Sequence, residues 1–351
     1  MEARALDAVA DVTAEWMTSV LERHGVRAKV STVHPELVGT GQMGSCYRVA
    51  VDYAVGDGPA TFIVKLPATD ERSRAAGHLG YQCETSFYRE VASRVKVNVP
   101  HCYFAEMNEE GDGFTLVLED LAPAQQGDQI AGCTVEHAHE AAVNIAGLHA
   151  PTWNDASIRE FDWLIPDLLA NAEFAAPFLA DATAQFLDRY SITVDTAATL
   201  RSFAEGFISW STGRPVPFAL LHSDYRLDNL LFAAVDAPRP VVAVDWQVVM
   251  VGSPLRDVAF LTATGLSVED RRGSERAIVA AYHRRLVELG VQGYSAEDCW
   301  EDYRYGMFQG LFITVLGAAV AQATSRGDEM FTVMAERSAT AINDLDSLAL
   351  L

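Results

Sequence analysis

The strongest constraint on the fold is a change in sequence pattern near residue 120. Before this point, short β-type runs such as CYRVAV and ATFIVKL are separated by turn residues and interrupted by one helical stretch. After Leu121, most segments have helical spacing of apolar residues, and only 217–233 and 240–251 look extended. Because no flexible linker separates the two parts, the sequence predicts an α+β chain with two lobes. We expect a small β-rich N-lobe at 1–119 and a larger, mainly helical C-lobe at 120–351.

The order of elements in the N-lobe also follows from the pattern. The spacing of Val9, Trp16 and Val20 predicts a helix within the first 24 residues. We then expect an antiparallel sheet, a helix in YQCETSFYREVASRV, and two further strands in PHCYFAE and FTLVLEDL.

The charge of the chain excludes some classes of partner. The 351 residues include 26 Lys and Arg against 48 Asp and Glu, a formal charge of −22. Such a surface repels nucleic acid and anionic lipid, so we expect neither as a partner. The apolar run at 307–321 is shorter than the roughly 20 residues that span a membrane, and it predicts a buried helix. Composition leaves the oligomeric state open.

Cysteine usage and the N-terminus indicate the compartment. The five cysteines are scattered and form no C-x-x-C pair, which argues against a disulfide framework and a zinc site. The N-terminal segment is interrupted by acidic residues and lacks the apolar core of a signal peptide. We therefore expect a cytoplasmic protein.

A glycine-rich segment is the first candidate for ligand binding. Within VGTGQMGSCYRV, Gly39, Gly41 and Gly44 form a G-x-G-x-x-G pattern. The dinucleotide-binding version of this pattern needs a helix directly after it. Here β-branched and aromatic residues follow, so we expect a hairpin, which is the context of a glycine-rich flap over nucleotide phosphates. An ordinary glycine turn is the alternative.

Lys65 lies among apolar residues in the run TFIVKLP. Strand alternation places it on one face with Ile63. A lysine on an inner face needs a partner, which nucleotide phosphates and a carboxylate on the next helix would supply. Of the two candidates, Glu84 is preferred over Glu90 because it lies nearer the start of the amphipathic stretch. The alternative is a lysine that extends to solvent from the strand edge.

The segment LHSDYRLDNLLF places polar residues between leucines. In its H-x-D-x-x-x-x-N pattern, a loop between Asp224 and Asn229 can turn both side chains toward one cleft. Asp224 could accept a proton from a hydroxyl nucleophile, and Asn229 could give an oxygen to a divalent ion, with magnesium preferred. For His222 we expect a buried ring that bonds the loop backbone.

Asp245 lies in the middle of the β-forming run PVVAVDWQVVM. A buried aspartate with no basic neighbour in sequence is costly unless it is paired or binds a metal ion. We therefore predict Asp245 as the second metal ligand, with a hairpin returning the chain from Asn229.

The run LVLEDL connects the two predicted lobes. A strand between lobes can recognise a purine through its backbone N–H and C=O groups. We expect the purine edge at Glu119 to Leu121.

Together these motifs resemble the aminoglycoside and choline kinase superfamily, small-molecule phosphotransferases with a bilobal protein-kinase-like fold. The sequence is most similar to the ecdysteroid-kinase-like branch in four segments, GTGQMGSCYRV, LEDL, HSDYRLDN and VDWQ…GSPLRDVAFL. The match runs in the family's order from about residue 30 to about residue 270. Several separated motifs in one order are far more specific than any one of them.

The resemblance implies a role for each matching residue. It implies that the three glycines form the phosphate flap, that Lys65 holds the α- and β-phosphates, and that Glu84 pairs with Lys65. It also implies that Asp224 is the catalytic base, while Asn229 and Asp245 bind Mg²⁺. Asp257 resembles an aspartate that braces the catalytic loop, with an ordinary helix-face charge as the alternative.

Two positions depart from related sequences. Ser223 stands where relatives commonly have glycine, and Asp245 is followed by Trp246 and Gln247 instead of the Phe-Gly of protein kinases. Only about eight residues separate Asp245 from the helix expected near Pro254, too few for a protein-kinase activation segment.

These features predict an ATP- and Mg²⁺-dependent kinase that phosphorylates a hydroxyl group of a small molecule. A catalytically inactive nucleotide-binding pseudokinase is the alternative, and a serine hydrolase is disfavoured because no G-x-S-x-G motif is present.

The acceptor stays open between aminoglycoside, macrolide, sterol-like and choline-like compounds. Aromatic residues at 300–308 could line an apolar pocket or belong to the core, whereas a polyamine-like antibiotic would need acidic residues in the cleft. The acidic candidates are Asp128, Glu136, Glu160 and Asp162.

Overall fold

A computed structural model describes residues 3–41, 44–213 and 217–351 of the chain. Its α-helices are α1 Ala14–Arg23, α2 Glu71–Ser86, α3 Val135–His149, α4 Ala172–Arg189, α5 Val194–Thr212, α6 Leu255–Gly265, α7 Val268–Glu288, α8 Ala296–Gly306, α9 Phe308–Val320 and α10 Ser325–Asp344. Its strands are β1 Lys29–Gly41, β2 Gly44–Val55, β3 Thr61–Pro67, β4 Cys102–Met107, β5 Phe114–Glu119, β6 Gln125–Gln126, β7 Ala219–Leu221, β8 Leu230–Phe232, β9 Val241–Ala243 and β10 Met250–Gly252.

The chain forms two compact units. Unit 1 comprises the described residues of Met1–Arg94, Val99–Ala122 and Asp245–Val248. Unit 2 comprises those of Val95–Asn98, Pro123–Val244 and Val249–Leu351. The short segment Asp245–Val248 therefore belongs to unit 1 although its neighbours in sequence belong to unit 2.

Unit 1 is built on an antiparallel five-stranded sheet with the order β1-β2-β3-β5-β4. Alternate residues of β3, Phe62, Val64 and Leu66, are buried in one core with Trp16 and Val20 of α1. Alternation buries every second side chain of a strand, so the other face of β3 is left for polar groups.

The helix at the N-terminus is shorter than the sequence predicts. α1 begins at Ala14, where the Thr13 side chain accepts the Trp16 N–H as an N-cap, and Val9 lies in a separate 3₁₀ turn. The next helix starts at Glu71, earlier than expected. Asp70 is its N-cap, and the Asp70 side chain accepts the Ser73 N–H. The helical spacing of apolar residues begins only near Tyr81, so the polar first turns of α2 gave no sequence signal for a helix. α2 then continues as a π-helical turn, Phe87–Val91.

The glycine-rich segment forms the end of the β1–β2 hairpin. Gly39 pairs with Cys46 and Gly41 pairs with Gly44, which confirms the expected hairpin. A Cβ at Gly44 would lie 2.7 Å from the Leu66 carbonyl oxygen, so this position needs glycine for close strand packing. Gln42 and Met43, which complete the predicted flap, lie outside the described residues.

Unit 2 contains α3 to α10 with two small sheets, β6-β8-β9 and β7-β10. Rings of α5 and α9 pack together in its core, with Phe203 stacked on Phe308 at 5.3 Å between centroids. The aromatic residues considered for an acceptor pocket, Trp300, Tyr303, Tyr305 and Phe308, are all buried. In the described part of the chain, no helix has the length and apolar character needed to cross a membrane.

Candidate functional site

Lys65 lies between two carboxylates of unit 1. Its Nζ is 2.6 Å from Glu84 Oε2 on α2 and 3.1 Å from Asp245 Oδ1. The Lys65 side chain is 11% exposed and that of Glu84 is 1% exposed. The predicted pairing of Lys65 with Glu84 is therefore present, and it holds the ammonium group on the polar face of β3.

The charges around Lys65 keep it protonated. Burial alone would lower the pKa of Lys65, but the nearby carboxylates of Asp245 and Glu84 outweigh burial and raise it above its ordinary value. Burial raises the pKa of the Glu84 carboxyl, and the Lys65 ammonium opposes that rise. Glu84 and Asp245 both pair with Lys65, which links the two carboxylates.

Asp245 does not lie within a strand, contrary to the sequence-based expectation. β9 ends at Ala243, and Asp245 adopts a left-handed backbone with φ of 66°. The β-forming residues around it misled the prediction, because a left-handed residue ends a strand whatever the propensity of its neighbours. The Asp245 side chain is 42% exposed, so the expectation of a buried aspartate is also wrong.

The residues after Asp245 are held against α2 and the turn that follows it. The Trp246 ring stacks on Phe87, with centroids 3.8 Å apart and planes 6° apart. Gln247 Nε2 donates to Glu84 Oε2 at 3.3 Å. A Cβ at Gly80 would lie 3.3 Å from Gln247 Cβ, so a small residue there lets the two segments approach closely. These contacts place Asp245 beside Lys65.

The predicted purine edge lies at the end of β5. The Glu119 N–H donates to the His101 carbonyl oxygen at 2.8 Å, which uses this donor within the protein. Asp120 forms a salt bridge with Arg48 at 2.7 Å. Backbone recognition of a purine would therefore depend on the Glu119 carbonyl and on Leu121, not on the Glu119 N–H.

In unit 2, Asp257 at the start of α6 braces the loop that contains Asp224. Asp257 Oδ2 accepts the His222 N–H at 2.8 Å and Oδ1 accepts the Ser223 N–H at 2.9 Å. Asp257 has no exposed surface, so the brace is the correct interpretation and a solvated helix-face charge is wrong. His222 Nε2 bonds the Val244 carbonyl oxygen at 3.0 Å, as expected of a buried histidine that bonds backbone.

Asp224 and Asn229 are in direct contact across the same loop. Asn229 Nδ2 donates to Asp224 Oδ2 at 2.8 Å and to the Asp224 carbonyl at 2.9 Å. The guanidinium of Arg226 lies 3.1 Å from the Asp224 carboxylate and 2.8 Å from Asp228. The Asp224 side chain is 25% exposed, which leaves it accessible to a ligand.

Three supporting residues carried no signal in the sequence. His149 Nε2 lies 3.3 Å from Asp257 Oδ2. Gln129 Oε1 accepts the Leu227 N–H at 2.8 Å, and Gln309 Nε2 donates to the Ser223 carbonyl at 3.2 Å. Each lies far from the loop in sequence, and no local pattern marks any of them.

Asn229 of unit 2 and Asp245 of unit 1 each have an oxygen atom of the kind that a hard divalent cation binds. The Asn229 amide nitrogen is engaged by Asp224, which leaves its Oδ1 as an acceptor with no hydrogen-bond partner among the described residues. Asp245 contributes a carboxylate. Amide and carboxylate oxygens are the donors that Mg²⁺ takes in proteins. In the described ranges, no cluster of three or more His, Cys, Asp or Glu could hold a metal ion.

Solved structures with similar folds are phosphotransferases. The GDP complex of wild-type aminoglycoside 2′-phosphotransferase-IIIa has a TM-score of 0.57 at 13% identity, over 94% of this chain and 99% of that chain. Choline kinase from Cryptosporidium parvum has a TM-score of 0.58 at 9% identity, over 90% of this chain and 89% of the choline kinase chain. The ternary complex of streptomycin, ATP and APH(2″)-IIa has a TM-score of 0.51 at 12% identity, over 89% of this chain and 92% of the APH(2″)-IIa chain. These likenesses confirm the predicted α+β, kinase-like fold.

Sequence comparison is more specific than the fold. No curated protein matches this chain. The model of the ecdysteroid kinase-like family matches residues 39–292, which is more than half of the sequence. The matched region includes Lys65, Glu84, Asp224, Asn229 and Asp245. The chain therefore belongs to the ecdysteroid kinase-like family.

Proposed function

We propose that this protein transfers the γ-phosphoryl group of ATP, with Mg²⁺, to a hydroxyl group of a small molecule. The observation that carries the proposal is the environment of Lys65, a buried cation shared by Glu84 and Asp245. Glu84 holds the ammonium in place for a phosphate, and the second carboxylate, Asp245, gives the three groups a net charge of −1, which suits a phosphate ligand that brings a divalent cation with it. The GDP and ATP complexes of the structural relatives support a nucleotide as that ligand.

In this proposal Lys65 binds the nucleotide phosphates and Glu84 holds the lysine in place. Glu84 is almost fully buried, so its carboxylate keeps one orientation and Lys65 is pre-positioned before the ligand arrives. The glycine-rich hairpin with Gly39, Gly41 and Gly44 covers the phosphates. Glu119 and Leu121 border the purine.

Asp224 is the proposed catalytic base. Asn229 donates to its carboxylate and Arg226 lies beside it, so the carboxylate is held in one orientation. The acceptor hydroxyl would give its proton to Asp224 as its oxygen attacks the γ-phosphorus and the bond to the β-phosphate oxygen breaks. Mg²⁺, when bound, neutralises phosphate charge, and Asn229 and Asp245 each offer it an oxygen.

A small molecule is the proposed acceptor. Only residues 246–254 lie between Asp245 and the start of α6, and they include β10 and the stacked Trp246. No long segment remains there to position a peptide. The antibiotic in the streptomycin complex and the choline kinase fold of another relative support a small acceptor without selecting one.

A polyamine-like acceptor has limited support from acidic residues. Asp128 accepts the Ile130 N–H at 2.8 Å and lies 3.7 Å from Arg326. A carboxylate with these internal partners is less available to a cationic ligand.

We also place the protein in the cytoplasm, because all five cysteines are free thiols.

The test is phosphate transfer in a panel of hydroxylated steroids, macrolides, aminoglycosides and choline-like amines. Mass spectrometry should find one acceptor heavier by a phosphoryl group, with release of ADP in the same reaction. Asp224→Asn should abolish transfer but keep stabilisation by ATP and Mg²⁺ in a thermal-shift assay.

Asp236→Asn is the matched control, because Asp236 is exposed and lies in the β8–β9 connection of the same unit. ATP stabilisation without ATP turnover in the wild type, under every acceptor, would favour the pseudokinase alternative. Transfer by Asp224→Asn at the rate of Asp236→Asn would remove Asp224 as the base.

A further inference from the structure

Unit 2 contains a cavity of about 450 Å³ whose function is unassigned. It is lined by the connection between α3 and α4, the end of α5, strand β10 and the first turn of α6. Its aromatic lining residues are Phe161, Trp210, Phe218 and Tyr305. Cavities of this size with aromatic walls and a few polar groups hold drug-sized organic ligands.

One wall of the cavity carries a buried cation. Arg256 lines it and is only 2% exposed. Its Nε donates to Gln309 Oε1 at 2.7 Å, but Nη1 meets Asp167 Oδ2 only at 3.4 Å and Nη2 meets the Met250 sulfur at 4.0 Å. Since a guanidinium has several N–H groups, these contacts leave donor capacity that an oxygen-bearing ligand would use.

The neighbouring residues fit the same interpretation. A Cβ at Gly252 would lie 2.9 Å from Arg256 Nη1, so glycine lets the guanidinium lie against β10. Ser253 lines the cavity at 9% exposure, and its Oγ has no hydrogen-bond partner within the described residues. Unpartnered buried polar groups are costly, and a ligand offers them partners.

The charge of the lining favours an anion. The described lining residues include two arginines, Arg159 and Arg256, and one carboxylate, Asp167, which leaves one net positive charge. Arg159 lies over the Phe218 ring at 4.3 Å. The whole chain carries −22, so a positive cavity is opposite in sign to the rest of the protein.

We propose that this cavity binds a monoanionic ring compound, with the ring between the aromatic walls and the anionic oxygens on Arg256. The proposal extends beyond phosphoryl transfer and does not depend on it, because binding requires neither ATP nor Asp224.

Two fluorescent probes that differ by one anionic group test the proposal. They are 8-anilinonaphthalene-1-sulfonate and its neutral analogue N-phenyl-1-naphthylamine, titrated against the full chain without nucleotide. Both should bind the wild type saturably. Ala170→Trp should displace both probes, because Ala170 lines the cavity, while Ala180→Trp on exposed α4 surface should leave both unchanged.

The charge requirement is tested by two further variants. Arg256→Met should weaken the sulfonate by about tenfold or more and leave the neutral probe unchanged, which also shows that the cavity is intact. Asp167→Asn keeps a side chain that can cap the Leu169 N–H, removes the competing carboxylate, and should tighten the sulfonate several-fold.

The proposal is wrong if neither probe binds the wild type, or if Ala170→Trp leaves both affinities unchanged. It is also wrong if Asp167→Asn changes the two affinities equally. This last comparison needs no substitution of Arg256, so it decides the anion question even if Arg256→Met fails to fold.

Discussion

Asp257 accepts the backbone N–H of Ser223 at 2.9 Å from a position with no solvent exposure. The same carboxylate accepts the N–H of His222 at 2.8 Å, so one side chain fixes two consecutive peptide groups immediately before Asp224. A buried carboxylate is stable there only because these donors, together with His149, replace water.

Asp257→Asn should therefore destabilise the protein. Asparagine keeps one acceptor oxygen and turns an NH₂ group toward a backbone donor, so we expect a loss of about 2–4 kcal/mol in the free energy of unfolding. Urea denaturation measures it, with Asp236→Asn as the exposed control. An equal, small effect in both variants would contradict the brace.

Ser223→Gly should stabilise the protein. Ser223 has φ of 69°, a left-handed backbone that glycine adopts at no steric cost. We expect a gain of about 0.5–1 kcal/mol after the greater chain entropy of glycine is subtracted. Thermal denaturation measures it as a rise in Tm.

Ser223→Ala separates the backbone from the side chain. The buried Ser223 Oγ has no hydrogen-bond partner in the described structure, and alanine removes it while keeping the left-handed strain. A stabilisation by alanine equal to that by glycine would assign the effect to the hydroxyl.

Lys65→Met should remove nucleotide binding and leave Glu84 buried without its cation. We expect kcat to fall roughly 100-fold or more and the thermal shift with ATP and Mg²⁺ to disappear. Lys29→Met at an exposed position is the control. Wild-type ATP stabilisation in Lys65→Met would contradict the proposed role.

The stability of Lys65→Met should also depend on pH. Burial already raises the pKa of Glu84, and removal of the ammonium raises it further. A carboxyl whose pKa is higher in the folded than in the unfolded protein destabilises the fold at a pH above its folded pKa. Below both pKa values the carboxyl is protonated in the folded and the unfolded state, and this cost disappears. The destabilisation relative to wild type should shrink as the pH falls from 7 toward about 4. A penalty that is independent of pH would contradict the buried, unpaired carboxylate.

Asp228→Asn should also lose its destabilisation at low pH, but at a lower pH, because here the folded pKa of the carboxyl lies below its ordinary value. Burial acts to raise the pKa of Asp228, but Arg326 and Arg226 outweigh it and hold the pKa below its ordinary value. Such a group stabilises the fold above its unfolded pKa of about 3.9, and this contribution is lost as the pH falls through the folded pKa. Wild type should therefore exceed the variant at pH 7, and the difference should shrink below about pH 4. Parallel stability curves would contradict the ion pairs.

Local sequence pattern was sufficient for much of this molecule. Strand alternation around Lys65 and the position of Glu84 in the next helix predicted the pair found at 2.6 Å. Glycines followed by β-forming residues predicted the hairpin. The ordered motifs predicted a small-molecule kinase of the ecdysteroid-kinase-like branch, and the family match confirms that class. These features were accessible because periodicity and short motifs depend on neighbouring residues.

Tertiary structure alone decided the rest. The run around Asp245 has strong β propensity, yet its backbone turns left-handed, with Trp246 stacked on Phe87 and Val244 bonded to His222. Gln309 reaches Ser223 across 86 positions in sequence. The cavity beside Arg256 likewise joins segments that are distant in the chain. Local periodicity does not encode such contacts, because they form only when packing brings remote residues together.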